Sequence, residues 1–425
     1  LSSKSSAAVL VVNHHTMAVK AYIASADFND QQRFGQVDMI TAIRSPGSTL
    51  KPFLYAMALD QGLISSHSML MDKKLNFSGY KPENFTKNFS GAVTMSEALQ
   101  RSLNIPAVQV LQFLGPGLFH ARLENAGLTL YLPAHSKPNL AMILGGTGTR
   151  LEQLVSAYSA LSRQGRAAAL RFSAQDKLQQ RRLMSSGAAW IIRDILAKIP
   201  YRHALSGIVK QGLLNSRSLY GWKTGTSYGF RDAWAIGFTA DYTIGIWTGR
   251  PDGTPVPGHY GAQSAVPLLK SVAQNLPAAT TPAAFNLSRP KSVTQAVICW
   301  PGGNLKSLTR VEDCKKTQLS WLLNKTVPPL LAVNPMLETV FNELTITSIE
   351  NNSRIKRPEG SHSALSINLQ AQGGLGDLYW FINGVPVNKQ ATRAVLNYTF
   401  SRKGKYQISA IDSSGQSHQI SIDVL

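Results

Sequence analysis

Ser48 and Lys51 stand three residues apart in "RSPGSTLKPFLYAM", behind a Pro-Gly turn and ahead of an apolar run that predicts a helix. A serine hydroxyl is a weak nucleophile until a base takes its proton, and a lysine one helical turn further on lies on the same face, within reach. An amine is a base only when unprotonated, and burial or a second nearby cation would both lower its pKa. Ser48 is therefore the candidate nucleophile and Lys51 the candidate base. The spacing alone says little, because Ser-x-x-Lys recurs at Ser78/Lys81, Ser288/Lys291 and Ser353/Lys356. What singles out Ser48 is its company. Ser102-x-Asn104 follows a helix signal, and the Lys-Thr-Gly of Lys223, Thr224 and Gly225 opens a strand pattern, with Lys223 available as the second cation. Another Ser-x-Asn, Ser366/Asn368, sits in an alternating strand and reads as surface polar residues.

These residues need a scaffold. Val9 to Val12 and Ala18 to Ile23 read as two strands joined by a polar turn, and Leu50, Phe53, Leu54 and Met57 recur at helical spacing over residues 48 to 60. Thr94/Glu97 and Thr149/Glu152 form capping-box patterns, the second ahead of a helix ending at Gly165. From Trp222 onward, aromatic and β-branched residues around a polar turn at Asp241 predict antiparallel strands. Strands at both ends with helices between them predict an α+β domain whose first and last strands share one sheet. On that scaffold the backbone N–H groups of Ser48, at a helix start, and Thr226, at a strand edge, are candidate oxyanion donors. Gly225 would let substrate lie against the strand without a Cβ in the way.

At 425 residues the chain is too long for one core. Its formal charge of +20 points to acidic partners, but the excess is diffuse, without a lysine or arginine run, which argues against nucleic acid. It begins at Leu1 without a leader pattern and contains no apolar run of about 18 residues, so it reads as a mature or truncated fragment. No His-Glu-x-x-His or Cys-x-x-Cys spacing suggests a metal site. The two cysteines, Cys299 and Cys314, suit either idle thiols in a reducing compartment or one bridge in an oxidising one. The expected organisation is a catalytic domain over 1–275, a linker and transitional segment over 276–339 that opens on the Pro/Ala/Thr-rich 276–285, and a small all-β sandwich over 340–425. In the last, Asn383-Gly384 and a Ser-Ser-Gly at 413–415 are hairpin signals, and Trp380 and Phe381 are expected to pack the sandwich rather than bind sugar.

The three motifs, in this order within one domain, resemble those of the penicillin-recognising acyl-serine enzymes, and within them the class A penicillin-binding proteins. The likeness extends through "RSPGSTLKPFLYAMALDQGLI", "YKPENFTKNFSGAVTMSEALQRSLNIPAV", "LGGTGTRLEQLVSAYSALSRQGR" and "WKTGTSYGFRDAW", and covers roughly residues 7 to 272. Ser227, where a second Thr often follows, and the short "YGFRDAW" are similar to the 1C type, as is a tail with paired cysteines and a small β domain.

The resemblance implies a transpeptidase-like fold, an antiparallel sheet with helices, and a D,D-transpeptidase acting through a Ser48 acyl-enzyme that β-lactams would trap. It implies that Ser102 relays a proton to the leaving amine, that Asn104 orients the substrate amide, and that Lys223, Thr224 and Thr226 hold the terminal carboxylate. No cofactor is implied. The partners would be peptidoglycan stem peptides and, through the tail, a periplasmic protein of the bacterial α2-macroglobulin-like kind. Such a protein would work in the periplasm, held to the inner membrane by an anchor upstream. A carboxypeptidase or β-lactamase is the other enzymatic reading, and the lack of Glu-x-x-Leu-Asn between Asn104 and Lys223 speaks for slow deacylation. A penicillin sensor or scaffold without turnover is the third.

Overall fold

The structure is a computed structural model that describes residues 4–77, 80–85, 88–198, 219, 221–277, 288–310, 314, 316–328, 344–356, 365–373, 378–387, 395–412 and 417–425. It divides into two compact units, one of residues 1–73 and 83–331, the other of 74–82 and 332–425. Most of the expected linker, from 278 on, and the Ser-Ser-Gly turn lie outside the described residues.

The first unit is built on one antiparallel sheet. Strands β1 (Ser6–Asn13) and β2 (Ala18–Ile23) form the opening hairpin, and β7 (Gly221–Thr226), β8 (Asp232–Phe238) and β9 (Tyr242–Gly249) close the sheet in the order β2-β1-β9-β8-β7. The first and last strands do share the sheet, since Val9 pairs with Ile246 on one side and Ile23 on the other. Helix α7 (Gly261–Asn275) covers one face, placing Ala265, Leu269 and Ala273 against Val9, Val11, Ala235, Ile244 and Ile246.

The other helices gather around α1 (Lys51–Asp60), which buries all but its last residue. A helix apolar all round must be enclosed. It packs on α2 (Met95–Gln100), α3 (Asn104–Leu114) and α6 (Ser186–Ala197), while α4 (Pro116–Asn125) adjoins α3 and α5 (Leu151–Ser159) backs the sheet. Two short hairpins, β3 (Met69–Asp72) with β4 (Gly91–Thr94) and β5 (Arg166–Ala168) with β6 (Gln180–Arg182), complete this part.

The first predicted cap forms, with Thr94 Oγ1 accepting from the Glu97 N–H at 3.1 Å, although the Glu97 carboxylate pairs with Arg101 instead of closing the box. The second does not. Thr149 is held extended by its backbone bridge to Arg44, and its hydroxyl donates to the Thr129 carbonyl at 3.0 Å, so the helix starts only at Leu151 and ends at Ser159. A tertiary contact has outbid the local cap.

Strands β10 (Val293–Trp300) and β11 (Lys316–Leu323) pair as a hairpin that belongs to the first unit. Ser66 N–H donates to the Trp321 carbonyl at 3.2 Å, Trp321 N–H returns a bond to Ser66 Oγ at 2.7 Å, and the indole N–H reaches Asp194 at 3.0 Å. A disulfide joins Cys299 to Cys314. Closing a loop of 15 residues should stabilise the folded chain by about 3 kcal/mol through the entropy it removes from the unfolded state. Thiol titration of the denatured, unreduced protein should find no free thiol, and two per chain would contradict the bridge.

The second unit is strand-rich. A five-stranded sheet contains 353–355, 417–424, 404–412, 378–382 and 385–386 in that order, and a separate pair joins 365–369 to 396–400. Asn383 and Gly384 both have positive φ, 50° and 76°, as a two-residue hairpin turn between right-twisted strands requires. Trp380 is 1% exposed and packs with Leu369, Phe400, Ile408, Ile420 and Ile422, while Phe381 is half-buried.

Candidate active site

Ser48 lies in a short 3-10 turn, Gly47–Leu50, that runs straight into α1. The turn is pinned from three sides. The Trp234 indole N–H donates to the Ser45 carbonyl at 2.8 Å, the Tyr158 hydroxyl to the Thr49 carbonyl at 2.6 Å, and Thr49 Oγ1 to the Pro46 carbonyl at 2.9 Å. Its closest neighbour is β7. A Cβ on Gly47, whose φ is +52°, would sit 2.5 Å from the Thr226 carbonyl oxygen, and a Cβ on Gly225 would sit 2.5 Å from the Pro46 carbonyl oxygen and 2.6 Å from Thr49 Cγ2. Gly225 is therefore a glycine because the Ser48 turn abuts the strand, which corrects the expectation that its bareness makes room for substrate. The two glycines bring the backbones at Ser48 and Thr226 side by side.

Lys51 is fully buried. Its Nζ donates to the Ser102 carbonyl at 2.8 Å, the Leu103 carbonyl at 3.0 Å and Asn104 Oδ1 at 2.7 Å. Ser102 can offer its carbonyl there because it adopts φ +58° between α2 and α3, a strained conformation for a residue with a Cβ. The same residue turns its hydroxyl to Lys223, whose Nζ donates to Ser102 Oγ at 2.8 Å and to the Thr224 carbonyl at 2.7 Å. Two buried lysines thus converge on one serine. Burial, and then the charge of Lys223, push the Lys51 pKa well below the usual lysine value, with Asp72 pulling the other way. Burial lowers Lys223 to about 7. Thr226 Oγ1 accepts from the Gly261 N–H at 3.1 Å, which leaves its own hydrogen free to donate.

Neither Asp72 nor Asn84 stands in any of the three motifs. Asp72 is buried and accepts from Asn84 Nδ2 at 2.6 Å and Ser90 N–H at 2.9 Å. Asn84 Oδ1 then accepts from the Asn104 N–H at 2.9 Å, and Asn104 Nδ2 donates to the Glu83 carbonyl at 2.7 Å. A hydrogen-bonded chain therefore runs from Asp72 through Asn84 and Asn104 to Lys51. No local sequence pattern announces it, because its members are brought together only by the fold.

The lowered lysines predict a pH dependence of stability. An unfolded lysine titrates near 10.4, whereas native Lys223 titrates at about 7. Between these values the unfolded chain binds more protons, so stability rises as pH rises across that window and falls as pH drops towards 7. The thermal midpoint should climb more steeply between pH 7 and 10 in the wild type than in Lys223→Met. Equal slopes would mean that Lys223 is not held neutral in the native state.

Residues 7–272 match the penicillin binding protein transpeptidase domain family, which is more than half of the chain. The chain belongs to that family. Residues 292–322 match the penicillin-binding protein 1C linker domain and 339–422 the Penicillin-Binding Protein C-terminus Family. Penicillin-binding protein 1C of Escherichia coli K12 is 41% identical over 98% of the chain, which spans 61% of that relative's length. Penicillin-binding protein 1A from Haemophilus influenzae shares the fold, with a TM-score of 0.61 at 19% identity over 76% of this chain and 54% of that one. So does PonA1 of Mycobacterium tuberculosis in complex with penicillin V, at 0.55 and 23% over 66% and 81%. Membership of a penicillin-binding transpeptidase family fits a serine flanked by two buried lysines. Among the described residues no helix is long and apolar enough to cross a membrane.

Proposed function

We propose that the chain is a peptidoglycan D,D-transpeptidase. The observation that carries this reading is the convergence of Lys51 and Lys223 on Ser102, with Ser48 in the turn that leads into the helix of Lys51. Ser48 Oγ attacks the carbonyl of the penultimate D-alanine, and neutral Lys51 takes the proton. The tetrahedral oxyanion is met by the backbone N–H groups of Ser48 and Thr226. Ser102 delivers a proton to the departing amine as terminal D-alanine leaves, drawing on the buried lysines. Lys223, Thr224 and the hydroxyl of Thr226 hold the terminal carboxylate, and Asn104 orients the amide. An amine of a neighbouring stem then takes the acyl group from Ser48. β-Lactams follow the first half of this path and stop at the acyl-enzyme, consistent with the penicillin V complex of the PonA1 fold relative.

The full protein would work in the bacterial periplasm, anchored to the inner membrane. The strand-rich unit would bind a periplasmic partner of the α2-macroglobulin-like kind.

The test is product partition. A stem peptide ending in D-Ala-D-Ala, incubated with the chain, should release D-alanine, and an added stem amine should divert acyl groups into cross-linked product at the expense of hydrolysis. Hydrolysis unaffected by amine would mean a carboxypeptidase, and neither product would mean a scaffold.

A further inference from the structure

Lys51 donates three hydrogen bonds, to the Ser102 carbonyl, the Leu103 carbonyl and Asn104 Oδ1. An ammonium has three N–H groups to give, and a neutral amine has two. To act as a base, Lys51 must therefore release one of these acceptors. Two of them are backbone carbonyls. The third belongs to a side-chain amide, which if turned over would offer an N–H to the lysine lone pair and favour the neutral form.

That turn is blocked by a hydrogen-bonded chain whose direction is fixed at its far end. Asn104 Nδ2 donates to the Glu83 carbonyl at 2.7 Å, and the Asn104 N–H donates to Asn84 Oδ1 at 2.9 Å. Asn84 Nδ2 in turn donates to Asp72 Oδ1 at 2.6 Å and to the Asn88 carbonyl at 2.9 Å. Carbonyls and an ionised carboxylate only accept, so neither amide can be reversed without setting acceptor against acceptor. The other carboxylate oxygen of Asp72 takes the Ser90 N–H at 2.9 Å.

Asp72 ends β3, fully buried, and forms no ion pair among the described residues. A buried carboxylate without a cation costs free energy to keep. The titratable groups it acts on come from α1. One is Tyr55, whose buried hydroxyl is kept protonated by burial and then by the charge of Asp72. The other is Lys51, on which burial and Lys223 favour the neutral amine while Asp72 favours the ammonium. Charges on the helices around α1 are engaged elsewhere: Glu97 of α2 with Arg101, Asp194 of α6 with Lys198, and Arg193 of α6 over the ring of Phe238. Helix α3 carries none.

We propose that Asp72 is a positioning residue of the transpeptidase, which through Asn84 fixes the Asn104 amide with its oxygen towards Lys51 and so sets the pH at which acylation begins. This rests on the transpeptidase reading, in which Lys51 is the base. Burial and a neighbouring cation alone would leave that base too weak to hold a proton taken from serine, and the Asp72 chain restores part of its strength.

Asp72→Asn keeps the shape and removes the charge. The second-order rate of benzylpenicillin acylation would be followed by intact mass on the whole chain as a function of pH. In this variant the pH at half-plateau should fall by about one unit, the scale of a nearby opposite charge, and the plateau by about threefold, because a weaker base takes the proton less readily. Asn84→Ala leaves the carboxylate but cuts the chain, and should move the half-plateau pH the same way. Only folded chains label at Ser48, so a variant that folds poorly gives less adduct without moving that pH. A half-plateau pH that stays at the wild-type value or rises in Asp72→Asn overturns the proposal, since a merely structural aspartate lowers the rate at every pH alike. A shift in Asp72→Asn without one in Asn84→Ala overturns it too, because the charge then acts without the chain. If the wild type takes up no penicillin, the transpeptidase reading itself fails, and the proposal with it.

Discussion

Penicillin should add one covalent mass to the chain, on Ser48, and the adduct should persist for hours. Ser48→Ala should abolish it while the thermal midpoint stays near that of the wild type. The expectation is steep because the site offers no substitute for the hydroxyl. Ser48 is half-exposed in its turn, whereas Ser102 holds its hydroxyl against Lys223 and its carbonyl against Lys51. The fold should tolerate the change because the turn is held by the carbonyls of Ser45, Pro46 and Thr49. Persistence follows from the lack, between Asn104 and Lys223, of a Glu-x-x-Leu-Asn whose glutamate could activate water against the ester. Tryptic mapping of the adduct is the measurement. Label on another serine, or loss within seconds, would replace the acyl-enzyme scheme with a hydrolase or a different nucleophile.

Much of this arrangement was legible in the sequence because it depends on short-range chemistry. A serine and a lysine three apart at a helix start, a polar triplet after a capped helix and a lysine opening a strand are local patterns, and the α+β order of strands around helices is written in hydrophobic periodicity. What the sequence could not show is where backbones touch. Gly225 reads as room for substrate until β7 is seen against Pro46 and Thr49. Thr149 reads as a cap until Arg44 and Thr129 compete for it. The hairpin of β10 and β11 reads as transitional sequence, yet its Ser320 hydroxyl bonds Ser65 across 255 residues at 3.0 Å. Asp72 and Asn84 have no motif. Each of these depends on contacts between distant segments, whose register local propensity does not specify.

Lys51 carries the second large effect. Replacement by Met should lower the acylation rate about 10³-fold, the scale of a lost general base. That result alone is ambiguous, because Lys51 also donates to the Ser102 and Leu103 carbonyls and to Asn104 Oδ1, and its loss leaves three acceptors without their donor. Lys51→Arg resolves the ambiguity. Arginine supplies donors in excess but cannot give up its proton at any accessible pH, so a structural peg would survive the change and a base would not. Acylation by Lys51→Arg should therefore be slow as well, with a thermal midpoint closer to the wild type than that of Lys51→Met. The pH profile gives a second, independent reading. With its pKa pushed well below the usual value by burial and by Lys223, Lys51 loses activity only as acid protonates it, so the wild-type rate should rise with pH on the acid side and then level. In Lys51→Arg that limb should vanish. Acylation within tenfold of wild type in Lys51→Arg, with the acid limb intact, would make Lys51 a strut and move the base to Lys223.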